Sequence, residues 1–202
     1  MIVLYGPDGS GKTTLSRALA RTLLERGVLV KWCWMRGSHT FVSRLSRFLS
    51  RFPAFHGTSN PYYGITVPPS ASRLWLLLEY LGFLPLYVLQ YILPAWRGYT
   101  IVSDRFTADL VVWVALVTDD PTVTDSLLAR HLMALMRRAG SLIFVTAEVG
   151  LLAARSGEDP GYLRRQLALY GKIGLNTHII DTTDETPKDS LNRVLGILDG
   201  GR

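Results

Sequence analysis

The 202-residue chain has a single cysteine, Cys33, which excludes an intramolecular disulfide and a cluster of thiolate metal ligands. A reducing, cytoplasmic setting is expected, with Cys33 acting as a small buried hydrophobe in an apolar run. The four histidines, His39, His56, His131 and His178, show no metal-ligand spacing, which argues against a zinc-type site. Charged residues make up only 19%, and no block of consecutive basic residues occurs. There is no Asn-Lys-x-Asp run for guanine recognition and no Asp-x-x-Gly after the third strand-like run, which disfavours a GTPase. Internal repeats and low-complexity tracts are absent too, and the opening residues read as a strand rather than a signal peptide.

What is present is apolar. Hydrophobic residues make up 48%, ample for a buried core, and the length suits one domain, residues 1–202, with a small lid. The net charge of +6 suits anionic partners without choosing between nucleotides and nucleic acid. Arg44, Arg47 and Arg51 recur at helical spacing. They read first as a solvated helix face, with a nucleic-acid or membrane-surface patch as the alternative. Residues 74–96 have the length and polarity of a bilayer span, but Glu79 and Gln90 interrupt them and Pro85 and Pro94 break them into turns. A core helix, kinked or ended near Pro85, is the expectation; membrane contact or an exposed dimerisation face is the alternative. Neither a membrane nor a nucleic acid is expected as a partner.

Strand-like runs at 2–5, 28–34, 100–103, 142–145 and 178–181 alternate with helical segments at 14–26, 40–51, 74–96, 108–117 and 123–138. A polar stretch at 154–161 precedes a helix through Tyr170, and Thr186-Pro187 opens a last one. Residues 52–70 form the longest loop-like segment, in which Tyr62 and Tyr63 read as packing residues more than as base-stacking ones. Trp32, Trp34, Trp75 and Trp113 lie on apolar runs and read as core. The alternation implies βαβ units and a five-stranded parallel sheet with helices on both faces. Ligands bind such sheets beyond the carboxyl ends of the strands. Three polar clusters fall there: residues 6–13, Asp104-Arg105, and Asp181-Thr182-Thr183.

The first cluster, Gly6-Pro7-Asp8-Gly9-Ser10-Gly11-Lys12-Thr13, matches Gly-x-x-x-x-Gly-Lys-Thr completely, with a strand before it and a helix after it. Its glycines let successive backbone N–H groups turn inward as an anion nest, and the following helix adds its positive end. Gly6, Asp8, Gly9, Ser10, Gly11, Lys12, Thr13 and Thr14 are therefore expected to bind ATP. Lys12 would reach the β- and γ-phosphates, and the Thr13 hydroxyl would ligate Mg²⁺. Asp104, at a strand end, would hold Mg²⁺ through water or accept a substrate proton. Arg105 would grip an acceptor phosphate with its planar fork.

Gly-Pro-Asp-Gly-Ser-Gly-Lys-Thr-Thr, followed by Asp104-Arg105-Phe106 after the third strand, resembles the thymidylate kinase family of P-loop nucleoside monophosphate kinases. Arg155 at the lid and Tyr170 on the next helix extend the resemblance. It implies a three-layer α/β/α P-loop NTPase fold with a short lid at 154–161, Mg²⁺-ATP as donor and dTMP as acceptor, and a homodimer. It further implies that Asp8 meets the acceptor's sugar hydroxyl and that Asp104 and Arg105 work at the transfer point. Gly9 in mid-loop implies a transition-state arginine in the lid: Arg155, with Arg164 and Arg165 in reserve. Arg36 would serve the acceptor phosphate; Arg73, which opens the apolar helix, reads equally as an acceptor-side residue and as a capping or surface one. The chain departs from the family's pattern in having Trp34-Met35-Arg36-Gly37 for Arg-Glu-Pro, and Thr146-Ala147-Glu148 for Asp-x-Pro. A deoxynucleoside kinase of related fold, or a nucleotide-binding P-loop protein without transferase activity, are the alternatives.

Overall fold

Short β-branched runs that are apolar on both sides must be buried on both sides, and they form the middle of the molecule. The computed structural model describes residues 1–35, 41–60 and 62–200. Strands β1 (Ile2–Tyr5) and β2 (Val30–Trp34) are followed by a short β3 (His56–Asn60) that stays outside the sheet and bridges only to Ile65. Strands β4 (Thr100–Asp104), β5 (Ser141–Thr146) and β6 (His178–Asp181) complete a five-stranded parallel sheet in the order β2-β4-β1-β5-β6. The expected α/β class and the five parallel strands are both present. β1 is central, with Leu4 opposite Asp104 on one side and Ile143 on the other. That register puts the glycine-rich loop of residues 6–13 and Asp104 together at the carboxyl end of the sheet.

The strand period of two sends Ile2 and Leu4 to one face and Val3 and Tyr5 to the other. Helices α1 (Lys12–Glu25) and α9 (Pro187–Gly200) cover the first face with Leu15, Leu19 and Val194. The second face lies under α3 (Ser72–Tyr87), α5 (Thr107–Val117), α6 (Leu127–Arg137) and α8 (Pro160–Ile173). Helix α2 (Phe41–Leu49) packs on α3, a short α4 (Leu93–Trp96) ends the long apolar run, and α7 (Val149–Ser156) precedes α8. In α5 nearly every side chain is buried, which explains its lack of a polar face.

Four expectations change. Pro85 neither ends nor breaks the helix: α3 passes through it, and a π-helical turn at Val88–Ile92 carries the helix on into α4. A wider turn re-registers the hydrogen bonds after a residue that has no N–H to donate. The polar stretch 154–161 shrinks to a connection at 157–159, since α7 runs to Ser156 and the Asp159 side chain caps α8 by accepting from Tyr162 N–H at 3.0 Å. Helix α6 starts later than expected, because Ser126 caps it after a 3₁₀ turn at Pro121–Asp125. Trp34 is not core: it is 36% exposed, on β2, which among the described residues is an edge strand paired only with β4. Trp75, Trp113 and Cys33 are buried as expected, and burial pushes the Cys33 thiol up to about 11.

Candidate phosphate-binding site

The loop after β1 turns back on itself through glycines that no larger residue could replace. A Cβ on Gly6 would stand 2.2 Å from the Val145 carbonyl oxygen, and one on Gly9 would stand 2.4 Å from that of Leu152. The second contact comes from α7, so this helix lies directly on the loop and leaves no room for a side chain at its middle. Gly11, at φ 84°, takes the left-handed conformation that lets α1 begin at Lys12. The Lys12 ammonium folds under the loop, donating to the Pro7 carbonyl and, at 3.0 Å, to Ser10 Oγ.

A cavity of about 420 Å³ opens above this loop. It is lined by residues 9–15 and by Arg105 and Arg155, with Thr182, Glu185, Pro187 and Ser190 at its far end. Arg155 sits in the last turn of α7 and reaches β6: its guanidinium donates to Thr182 Oγ1 at 3.0 Å and to the Thr182 carbonyl at 3.1 Å. Thr182 in turn donates to the Ser10 carbonyl at 3.2 Å, tying the last strand to the P-loop. Thr13 and Thr14 also line the cavity.

At the carboxyl end of β4, Asp104 is fully buried and accepts from the Thr13 hydroxyl at 2.6 Å through Oδ2. Among the described residues its other oxygen, Oδ1, is buried without a hydrogen-bond partner. Burial raises the Asp104 pKa, opposed by the Thr13 hydrogen bond and the Arg105 charge. A buried carboxylate oxygen with no donor among the described residues, beside the Thr13 hydroxyl that lines the cavity, fits a hard divalent cation that Thr13 would hold directly and Asp104 through water. Mg²⁺ suits that donor set. Among the described residues there is no cluster of three or more His, Cys, Asp or Glu for a transition metal.

Arg105 follows in a left-handed conformation, φ 71°, unusual for a side chain of its size. Its N–H donates to the Leu4 carbonyl at 2.8 Å, and its guanidinium is divided between Asp8 at 2.5 Å and Asp109 at 3.2 Å. Burial would drive the guanidinium toward neutrality, but the carboxylates of Asp109 and Asp8 outweigh it and hold its pKa above the ordinary value. Asp109 also accepts from Tyr170 at 2.8 Å and from the Phe106 N–H at 3.2 Å. Gln166 holds Asp8 from both ends, accepting from its N–H at 2.9 Å and donating to Oδ2 at 3.3 Å. Backbone strain at Arg105 is thus locked by a buried polar network.

The structure brings together Gly6, Asp8, Gly9, Ser10, Gly11, Lys12, Thr13, Thr14, Asp104, Arg105 and Arg155. It does not bring Arg73 there: that side chain is exposed on the first turn of α3, where its charge acts on Asp120. Arg165 turns to Asp119 at 3.4 Å, and Arg164 is exposed and outside the cavity lining. Arg36 lies outside the described residues. Asp109 and Gln166 are participants that the sequence reading missed. A lone acid at the third position of an otherwise apolar helix was the available signal for Asp109, since it is the place for an N-terminal cap. Tyr62 packs against the Trp113 ring at 5.4 Å, in keeping with a packing role.

Lys12 has an expected pH signature. Burial, reinforced by the Arg105 charge, lowers its pKa from 10.5 to about 7, with Asp109, Asp8 and Asp104 pulling the other way. A triphosphate on the loop would restore the charged form, so ATP binding above about pH 7 should take up a proton. Affinity should then fall with rising pH, by at most about tenfold per unit. The same depression means that the unliganded chain gains stability between about pH 7 and 10.5, where the unfolded chain still holds the proton. Calorimetry in two buffers of different ionisation enthalpy measures the uptake, which Lys12→Met should abolish. Equal heats in the two buffers would refute the coupling.

Fold and site together define an α/β protein with a glycine-rich loop under a cavity at the carboxyl end of its central strand. Comparison with protein-family models gives no match, and no curated protein matches the chain.

Proposed function

We propose that the chain is a Mg²⁺-ATP-dependent phosphotransferase of P-loop NTPase type, with three α/β/α layers. It passes the γ-phosphoryl group to a nucleoside monophosphate, dTMP foremost. One observation carries this reading: a single cavity is lined by Lys12, Thr13, Arg105 and Arg155, three of them cationic residues drawn from distant parts of the chain. Phosphoryl transfer needs little covalent help from protein; it needs positioning, charge neutralisation and exclusion of water.

The loop N–H groups and the start of α1 would bind the phosphates, with Lys12 toward the β- and γ-groups. Mg²⁺, when bound at Thr13 and Asp104, would neutralise β- and γ-oxygens. Arg155 reaches the cavity from α7, the helix that lies on Gly9, so the side chain absent from the loop is replaced by one from the lid. Arg105 and Asp8 would stand at the acceptor side, Asp8 meeting the sugar hydroxyl. As the acceptor oxygen bonds to the γ-phosphorus, the bond to the bridging oxygen breaks and ADP leaves beside Lys12 and Arg155.

A second reading has one observation in its favour. The Arg105 fork is already engaged by Asp8 and Asp109. An acceptor phosphate must displace one of these carboxylates, whereas a hydroxyl acceptor need not, and Asp104 would then accept its proton. This would be a deoxynucleoside kinase. A coupled assay of ADP formation with a panel of acceptors separates the readings. Stimulation by dTMP or another monophosphate is expected, stimulation by nucleosides alone selects the second reading, and no stimulation by any acceptor leaves a nucleotide-binding protein without transferase activity.

A further inference from the structure

The charge of this chain is unevenly placed. Between Glu25 and Asp104 the only acidic residue is Glu79, against eight Lys and Arg, so this stretch carries 8 − 1 = +7 where the whole chain carries +6. Glu79 itself is fully buried. The exposed surface built by this stretch therefore has no acidic side chain, and the remainder of the protein is close to neutral.

The same surface is apolar. The helical run Pro69–Trp96 is 28 residues long, and its most apolar 18 residues have a mean hydropathy of 1.6, yet only 28% of them are buried, far too little for a core helix. Its inner face packs through Trp75, Leu76, Glu79 and Phe83. Its outer face shows Leu74, Leu77, Leu81, Val88 and Leu89, each more than 40% exposed. On α2, Phe41 and Phe48 share one exposed strip seven residues apart, and Phe52 extends it, its ring 5.2 Å from that of Phe48. Arg44, Arg47 and Arg51 form the adjoining exposed strip. A cavity of about 290 Å³, lined by Leu45, Leu49, Leu74 and Leu78 among others, joins the two helices into one apolar face.

We infer that this face of α2 and α3 docks the protein onto an anionic phospholipid bilayer. An aromatic and aliphatic strip bordered by arginines is the arrangement of a helix lying in the plane of the headgroups. The chain lies on the membrane and does not cross it, because the buried Glu79 side pins α3 to the core. A second copy of the chain, the occupant implied by a dimer, would bring the arginine rows of two protomers near each other with no acidic residue on this face to pair them. A nucleic acid would answer the arginines and could stack on Phe41 and Phe48, but it would leave the aliphatic Leu77, Leu81 and Leu89 of α3 and the turn after it exposed to water. Among the described residues, none lining the phosphate cavity lies between 26 and 103, so a docked molecule keeps its nucleotide site open. The arginine row expected to be a solvated face thus becomes the electrostatic rim of a docking surface.

Co-sedimentation of the full chain with vesicles of phosphatidylcholine plus phosphatidylglycerol tests this, against vesicles of phosphatidylcholine alone. Binding only to the anionic vesicles, weakened by added NaCl, is expected. Replacing Arg44, Arg47 and Arg51 together by Gln should weaken it roughly 100-fold, about fivefold per charge. A second variant, Phe48→Ser with Leu81→Ser, should weaken it comparably while thermal unfolding stays cooperative. No binding to anionic vesicles overturns the inference. So does sedimentation velocity showing a stable dimer that the Phe48→Ser, Leu81→Ser variant converts to monomer, or oligonucleotide binding that the arginine variant alone abolishes.

Discussion

Lys12→Ala should lower ATP turnover by about 10³-fold while leaving the fold intact, the largest functional effect expected of any single change in this chain. The reason lies in how Lys12 is held before any nucleotide arrives. It is 3% exposed, and its ammonium is tied to the Pro7 carbonyl and Ser10 Oγ rather than to a carboxylate. A cation kept out of water in this way contributes little to folding, and burial lowers its pKa to about 7. Its charge becomes useful only when phosphate oxygens replace the missing water. Removing it should therefore separate activity from stability: ADP formation collapses, while the melting temperature stays near that of the parent or rises. Lys12→Arg should not rescue, because a planar fork does not fit the space beneath the loop that a point charge fills. A fall of less than about tenfold in turnover would remove Lys12 from the chemistry.

Asp109→Ala should be the most destabilising single substitution in the site, costing about 3–5 kcal/mol. Asp109 is 3% exposed and serves Arg105, Tyr170 and the Phe106 N–H at once. Without it, a buried guanidinium keeps one carboxylate, Asp8, and a buried phenol loses its acceptor. The backbone strain at Arg105 also loses part of its restraint. In a chain of this size such a loss should lower the melting temperature by on the order of 10 °C. Asp109→Asn should cost less, since one carbonyl oxygen remains for Tyr170 or the Phe106 N–H. Thermal unfolding of both variants, compared with an exposed change such as Asp199→Ala, measures the effect. An Asp109→Ala melting temperature within a degree or two of the parent would show that the network does not stabilise the fold.

The two cases differ in how visible they were. Lys12 sits in a contiguous motif whose spacing already states its chemistry, because an anion nest is made from neighbouring backbone groups. Asp109 is local to Arg105 in sequence but reads as an ordinary cap, and Gln166 lies 158 residues from the Asp8 it holds. No local pattern could join them. Arg73 was left open between an acceptor-side and a surface role for a related reason: opening an apolar helix says nothing about which way its first turn faces, and here the side chain is exposed, its charge acting on Asp120. The lid was misjudged because polar composition looks alike in a loop and on the outer side of a capped helix, where α7 and α8 in fact run to within a few residues of each other.

By itself, then, the sequence determined the α/β class, the five strands, the helix of nearly every crossover and the glycine-rich loop after β1. All of these rest on interactions between residues close in the chain: periodicity, glycine conformations and caps. The order of the strands, the exposure of Trp34 at the edge, the meeting of α7 with Gly9 and the carboxylates sharing Arg105 were decided only in three dimensions. So was the emergence of an apolar, acid-free face on α2 and α3. Hydropathy reports that a residue avoids water, but what covers it depends on which elements the crossovers bring alongside, and that is settled by packing across the whole sheet.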